Sequence, residues 1–222
     1  METNITPGDV VRLEGVDLPT GAAFHYVHRK EGVHEDVSLR VMIARPKREE
    51  PRGSILFHPG RSEFIEKFFE TAQDLVNRGF VVMMMDPRGQ GLSSRLLDDP
   101  LKGWVGSFDH YCDDFAFLTD VFKSDLPRPH IVMGHSMGST IGLQTILSGR
   151  LNPAAGVFSA PMLQLQDMNT PFMGELVRFL AWAGLKQNAL PFQASRNGQP
   201  GAFGSNKLTN DPNRYQLWAT YF

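Results

Sequence analysis

The chain has 222 residues, 41% hydrophobic and 21% charged, which is enough apolar material for a sizeable core and unlike a disordered or fibrous composition. A formal net charge of -2, with the basic residues scattered, gives no electrostatic reason to expect a nucleic-acid partner, and a single cysteine, Cys112, excludes an internal disulfide. The first residues lack the basic start and apolar core of a signal peptide and no run is long enough to span a bilayer, so the expectation is a cytoplasmic protein with at most peripheral contact at the inner face of a membrane.

In chain order, residues 22–30 and 37–45 are β-prone, the second alternating Val37, Leu39, Val41 and Ile43 against Ser38, Arg40 and Met42; an antiparallel pair is predicted. Ser54 to Phe57 is a short buried strand that runs into the loop His58 to Glu63. Ser62 is a candidate N-cap for a helix whose apolar residues Ile65, Phe68, Phe69, Ala72, Leu75 and Val76 recur at helical spacing, with Gly79 closing it. Phe80 to Met85 is apolar throughout, as a parallel strand covered on both faces would be, and stops at Asp86-Pro87-Arg88-Gly89-Gln90-Gly91. Ser107 is a candidate cap for a second helix with Phe108, Tyr111, Phe115, Leu118 and Phe122 inward and with Asp109, Asp113 and Asp114 suiting its positive end.

The run Ile131-Val132-Met133 leads into Gly134-His135-Ser136-Met137-Gly138, then a helix through Ile141, Leu143, Ile146 and Leu147 to Gly149, then one more strand from Ala154 to Ser159. The βαβαβαβ rhythm from 54 to 160 predicts an α/β, doubly wound, mostly parallel sheet. After Ala160-Pro161 the rhythm changes to a nearly all-apolar helix candidate at 171–185 and a Gly/Pro/Asn-rich stretch without periodicity. The division expected is therefore a core over 1–160 and a cap or lid over 161–222.

The G-x-S-x-G pentapeptide between a strand and a helix carries a specific chemistry. The strand turns sharply into the helix, small residues on either side of the serine relieve the crowding, and the hydroxyl is left standing clear. The N–H that follows faces any oxyanion formed there, and the helix N-terminus favours negative charge. The plain alternative for Ser136 is an ordinary strand-to-helix turn. His135 reads as a packing or hydrogen-bonding histidine, because neighbours on a tight elbow point apart. Asp86 and Arg88 read as structural ties for a Gly-rich loop, and Cys112 as a small core residue.

Pro59-Gly60-Arg61-Ser62-Glu63, Asp86 to Ser93, Gly134 to Gly138 and Ser159-Ala160-Pro161-Met162 together resemble, in order and spacing, the α/β-hydrolase subfamily of monoacylglycerol lipases and lysophospholipases. The first loop and the segment Arg88 to Arg95 are most similar to the bacterial L2-type lysophospholipases. The resemblance runs from about residue 20 to 222 and includes a cap-like segment from Leu208 to Tyr215. It implies an α/β-hydrolase fold with the start of a helical cap, and hydrolysis of carboxylic esters of single-acyl lipids, lysophospholipid or monoacylglycerol, through an acyl-enzyme. By the same resemblance Ser136 is the nucleophile, the backbone N–H groups of Met137 and Arg61 form the oxyanion hole, and no cofactor or metal is needed. The position of 171–185 implies that Phe172, Met173, Leu176, Phe179 and Leu180 line the acyl site, although hydrophobicity alone fits a buried helix equally. One departure stands beside the site. Relatives commonly carry His-Gly where this chain has Pro59-Gly60, so His58 lies one position early and Pro59 lacks a backbone donor.

In this fold the acid and the histidine of the triad follow the nucleophile in chain order. The seven histidines here, at 25, 28, 34, 58, 110, 130 and 135, all precede Ser136. The expectation is that these residues form the N-terminal part of a longer hydrolase without its C-terminal strands, leaving the strand at 154–159 as an open edge, and that alone they turn over esters negligibly. Two rivals remain: a non-catalytic remnant or lipid-binding module that keeps the elbow, and an α/β-hydrolase acting on another bond, as a peptidase or peroxidase. Enzymes with an aspartate nucleophile are disfavoured by Ser136 itself. Oligomeric state is not indicated.

Overall fold

The computed structural model describes residues 4–29, 37–100, 102–164, 175, 178–180, 182–184, 203–205 and 209–221. It divides into two compact units, Met1–Leu96 with Val105–Leu163, and Leu97–Trp104 with Gln164–Phe222.

The first unit is built on one mixed sheet of strands β1 (Asn4–Pro7), β2 (Ala23–Arg29), β3 (Val37–Ala44), β4 (Ser54–His58), β5 (Val81–Met85), β6 (His130–His135) and β7 (Ala155–Ser159). Their order is β1-β2-β3-β5-β4-β6-β7. The first three strands and the β3–β5 pair are antiparallel, whereas β5, β4, β6 and β7 run parallel. Parallel neighbours need crossovers, and helices α1 (Phe69–Asn77), α2 (Asp109–Val121) and α3 (Met137–Leu147) supply them.

The alternation of side chains along a strand decides which helix each residue meets. Leu56, Met83, Met85 and Val132 pack with Phe115 and Leu118 of α2 and with Phe122 just beyond its end. On the opposite face Phe57 meets Phe68 at 4.7 Å between ring centroids, and Phe24 meets Phe69 at 6.2 Å. A strand covered from both sides has no polar face, which is why Val81 to Met85 is apolar at every position and buried throughout.

The expected antiparallel pair is β2 and β3, and both faces of β3 are covered: Arg40 and Met42 are fully buried, and the Arg40 guanidinium is neutralised by Glu66 at 2.5 Å and Asp86 at 3.1 Å. Three local expectations need correction. Ser62 caps no helix. The chain turns at Ser62 with φ 56, the helix opens as a 3-10 turn at Ile65–Phe68, and the Ile65 N–H is taken at 2.9 Å by the Asp86 carboxylate from the end of β5. Asp114 does not serve the end of α2; it is buried and accepts hydrogen bonds from Arg88 at 2.5 and 2.6 Å and from Arg29 at 2.8 Å. Ser107 lies one residue outside the capping position, held by Phe108, and its hydroxyl accepts the Asp109 N–H at 3.3 Å. Cys112 is buried on the inner side of α2, with Tyr111, Met137 and Ile141 around it.

β7 is the last strand in the sheet order among the described residues, and most of it is exposed, Val157 included. β1 has no counterpart in the sequence reading. Its four residues, Asn-Ile-Thr-Pro, carry no apolar period, and Pro7 is tolerated because it ends the strand.

In the second unit, α4 (Pro212–Tyr221) is capped by Asp211, whose carboxylate accepts the Asn213 N–H at 2.8 Å, and the Tyr215 ring packs edge-on to Phe203. Of the residues assigned to the acyl site, Phe172, Met173 and Leu176 lie outside the described residues. Phe179 is exposed, Leu180 is partly buried, and the Phe179 ring lies 5.9 Å from that of the exposed Trp182.

Candidate active site

The connection order sets the place of the site. From β4 the chain moves to β5 on one side, then crosses to β6 on the other, so the loops leaving β4 and β6 diverge at the carboxyl end of neighbouring strands. In open α/β sheets that switch point is the crevice where ligands bind. His58, the last residue of β4, is in register with Gly134, so the loop Pro59–Glu63 and the turn at Ser136 begin side by side.

Ser136 sits between β6 and α3 with φ 51 and ψ −119. A positive φ on a residue with a side chain costs on the order of 1–3 kcal/mol and persists only where the surroundings enforce it. Here they do. The Ser136 N–H donates to Ser159 O at 2.9 Å, the Met162 N–H donates to Ser136 O at 3.2 Å, and the Thr140 hydroxyl holds Met162 O at 2.8 Å. The Ser159–Met162 motif thus braces the turn. The flanking glycines are steric requirements: a Cβ on Gly134 would lie 2.6 Å from Ser139 N, and one on Gly138 would lie 2.1 Å from His58 O. Met137 opens α3, where an N–H has no intrahelical acceptor and the helix end is electropositive.

The loop after β4 is held from both sides. Pro59 has no N–H, the Gly60 N–H donates to Glu63 Oε2 at 2.6 Å, and the Ser62 N–H donates to Gln90 Oε1. Among the described residues no acceptor faces the Arg61 N–H between them. A Cβ on Gly60 would stand 3.1 Å from the Ser136 Cβ and 2.7 Å from Glu63 Oε2, so this loop lies directly against Ser136. Glu63 is buried and also accepts from His135 Nδ1 at 2.9 Å and Lys67 Nζ at 2.5 Å. Burial pushes its carboxyl up, but the hydrogen bonds and charges of His135 and Lys67 outweigh that and hold it below the usual carboxylate range.

His135 is therefore engaged through Nδ1. His58 is fully buried, edge-on to Phe115, with Nδ1 2.8 Å from Pro59 O. A carbonyl only accepts, so Nδ1 carries the proton, and Nε2 finds no donor among the described residues. Burial lowers its pKa to about 4, so the ring is neutral and sequestered from Ser136 chemistry. Asp86 and Arg88 act as ties: Asp86 accepts from Ile65 N, Leu92 N and Arg40, and Arg88 is locked on Asp114. The residues to which the sequence reading gave no role are Glu63 and Gln90. The Gly60-x-x-Glu63 spacing, in which a carboxylate reaches back to an N–H three residues earlier, was the available signal for the first.

A mostly parallel sheet with helices on both faces and a serine held on a strained turn at the carboxyl end of an inner strand define an α/β-hydrolase fold. The chain belongs to the family described as serine aminopeptidase, S33 (Hydrolase_4), whose model matches residues 49–216. It is 31% identical over 185 residues to lysophospholipase L2 of Escherichia coli (strain K12), covering 82% of this chain and 53% of that protein. It is 27% identical over 135 residues to a monoacylglycerol lipase of Mycolicibacterium smegmatis, covering 59% of this chain and 45% of the relative. The chain thus spans about half the length of the curated relatives it matches. Among solved structures, a thermostable carboxyl esterase from Bacillus coagulans superposes with a TM-score of 0.64 at 19% identity, over 78% of this chain and 55% of that one. A soluble variant of monoglyceride lipase from Saccharomyces cerevisiae gives 0.56 at 21%, over 76% and 53%. These two likenesses show the shared fold.

Proposed function

We propose that the protein is a serine ester hydrolase for single-acyl lipids, lysophospholipid or monoacylglycerol, working through an acyl-enzyme on Ser136. The observation that carries the reading is the Ser136 turn, with φ 51 at the end of β6, set against a loop whose Arg61 N–H is unclaimed among the described residues. The Ser136 oxygen attacks the ester carbonyl carbon, the carbonyl electrons move onto oxygen, and the Arg61 and Met137 N–H groups receive the oxyanion. Collapse expels the glycerol-bearing alcohol and leaves the acyl group on Ser136 for water to remove.

The proton of Ser136 needs an acceptor. Every histidine precedes Ser136; His58 is buried with Nδ1 on a carbonyl, and His135 is bound to Glu63. Neither His58 nor His135 is therefore placed to take that proton, and the reading assigns Ser136 as nucleophile and the Arg61 and Met137 N–H groups as oxyanion hole without assigning the base. The names borne by the curated relatives support the lipid ester, and Phe172, Met173, Leu176, Phe179 and Leu180 are proposed to hold the acyl chain, with peripheral contact at a cytoplasmic membrane face. The family description, which names an aminopeptidase, favours a second reading with a peptide bond in place of the ester.

The protein expressed from its natural reading frame is treated with an alkyl fluorophosphonate and mapped by mass spectrometry. One adduct on the peptide containing Ser136, absent in Ser136→Ala, is expected. No adduct, or one on another serine, overturns the assignment and favours a non-catalytic module. Cleavage of long-chain monoacylglycerol with no cleavage of an aminoacyl amide separates the ester from the peptide reading.

A further inference from the structure

The three non-glycine residues with positive φ among the described residues, Ser62 (56), Ser136 (51) and Ala160 (45), all gather at this site. Strain of that kind is maintained by specific partners. For Ser136 and Ala160 the partners are the Ser159–Met162 bonds given above. For the loop carrying Ser62 they are two buried side chains from different parts of the chain, Glu63 and Gln90.

We infer that Glu63 and Gln90 are positioning residues for the oxyanion hole: by taking the N–H groups of Gly60 and Ser62 on either side of Arg61, they hold the Arg61 N–H open beside Ser136. The inference rests on the reading of the Arg61 N–H as an oxyanion donor. Three features of the chain support it. A single carboxylate oxygen, Glu63 Oε2, accepts both the Gly60 N–H at 2.6 Å and His135 Nδ1 at 2.9 Å, so it ties the loop after β4 to the residue immediately before Ser136. The other oxygen is anchored on α1's preceding turn by Lys67 at 2.5 Å. Gln90 is buried, yet its Nε2 meets no acceptor among the described residues, so the hydrogen bond that its side chain makes is the one to the Ser62 N–H. A buried amide nitrogen without a partner costs free energy, so the side chain is held there by its surroundings at that cost, with its oxygen fixed on the Ser62 N–H. Neither side chain is placed to touch the substrate; both act through the peptide between Gly60 and Ser62.

The test uses the protein expressed from its natural reading frame and a p-nitrophenyl acyl ester. Glu63→Ala and Gln90→Leu are expected to lower kcat by about ten- to a hundredfold with KM within about twofold, because a displaced oxyanion donor acts in the transition state and not in ground-state binding. Fluorophosphonate labelling of Ser136 should slow in parallel. Glu63→Gln and Gln90→Glu each keep an acceptor oxygen and should recover most of the rate. Thermal unfolding of each variant gives the folded fraction by which kcat is corrected. If corrected kcat stays within twofold of the parent, if KM rises while kcat holds, or if the acceptor-keeping variants recover nothing, the inference is overturned while the Ser136 reading stands. If Ser136→Ala keeps its activity, the underlying reading fails and the inference with it.

Discussion

Two loops leave the carboxyl ends of adjacent strands, and they are built to opposite rules. The loop after β5 is sewn to its surroundings: Asp86 accepts from Ile65, Leu92 and Arg40, Ser93 bonds both Asp86 O at 2.6 Å and the Arg40 N–H at 2.8 Å, and Ser94 pairs with Ser38 through side chain and backbone. Arg88 continues the seam into α2 through Asp114. The loop after β4 is shorter and fixed at its flanks, but among the described residues its central N–H is left without an acceptor. Apart from Gln90, whose Nε2 has no partner among the described residues and whose Oε1 takes the Ser62 N–H, the first loop turns its polar groups inward, whereas a donor left open between two fixed neighbours is preorganised for charge that develops later. The first loop is a frame, and the second is the one we propose takes part in the chemistry.

That contrast can be broken by mutations on either side. The largest effect is expected at the serine: in the protein expressed from its natural reading frame, Ser136→Ala should lower ester turnover by at least about 10⁴-fold while the unfolding midpoint stays within about 2 °C, measured by steady-state kinetics and thermal unfolding. On the frame side, Asp114→Ala leaves the buried Arg88 and the largely buried Arg29 without their shared carboxylate. It should destabilise the fold by about 3–5 kcal/mol in denaturant titration, with kcat per folded molecule little changed. A loss of kcat without a loss of stability would show that the frame takes part in the chemistry.

His58 gives a pH test between the two. Its folded pKa, about 4, lies below the ordinary value of 6.5, so the fold favours the neutral ring. That contribution is complete above pH 6.5 and is lost as pH falls towards 4, a weakening on the order of 3 kcal/mol. The unfolding midpoint of His58→Asn should therefore fall less steeply than that of the parent across this window. Parallel curves would mean that the ring is not held neutral. The smallest expected effect concerns the acyl chain: Phe179→Asp should reduce hydrolysis of a long-chain ester about tenfold more than that of a short one. Equal losses would assign the residue to folding.

Much of this was legible in the sequence, for physical reasons that also mark where legibility ends. The strands and helices between Ala23 and Ser159 were readable because burial imposes a period on apolar residues. The Ser136 turn was readable because the close approach of α3 to β6 at Gly134, and to the end of β4 at Gly138, leaves no room for a Cβ at either position. Ser62 and Asp114 were misread because the partners that decide their surroundings are distant: Ile65 is capped from 21 positions away, and Asp114 is met by Arg29 from 85 positions away. A local pattern carries no record of such partners. Glu63 and Gln90 escaped notice for a related reason, since what they satisfy is backbone N–H, which every non-proline residue has.

The most direct test of the account is the crystal structure of the protein after reaction with an alkyl fluorophosphonate. Phosphorus is expected on Ser136 Oγ, with the phosphoryl oxygen about 2.7–3.1 Å from the backbone nitrogens of both Arg61 and Met137, and with Gly60 and Ser62 still bonded to Glu63 and Gln90. A phosphoryl oxygen turned away from the Arg61 nitrogen, or an adduct on any other residue, would contradict it.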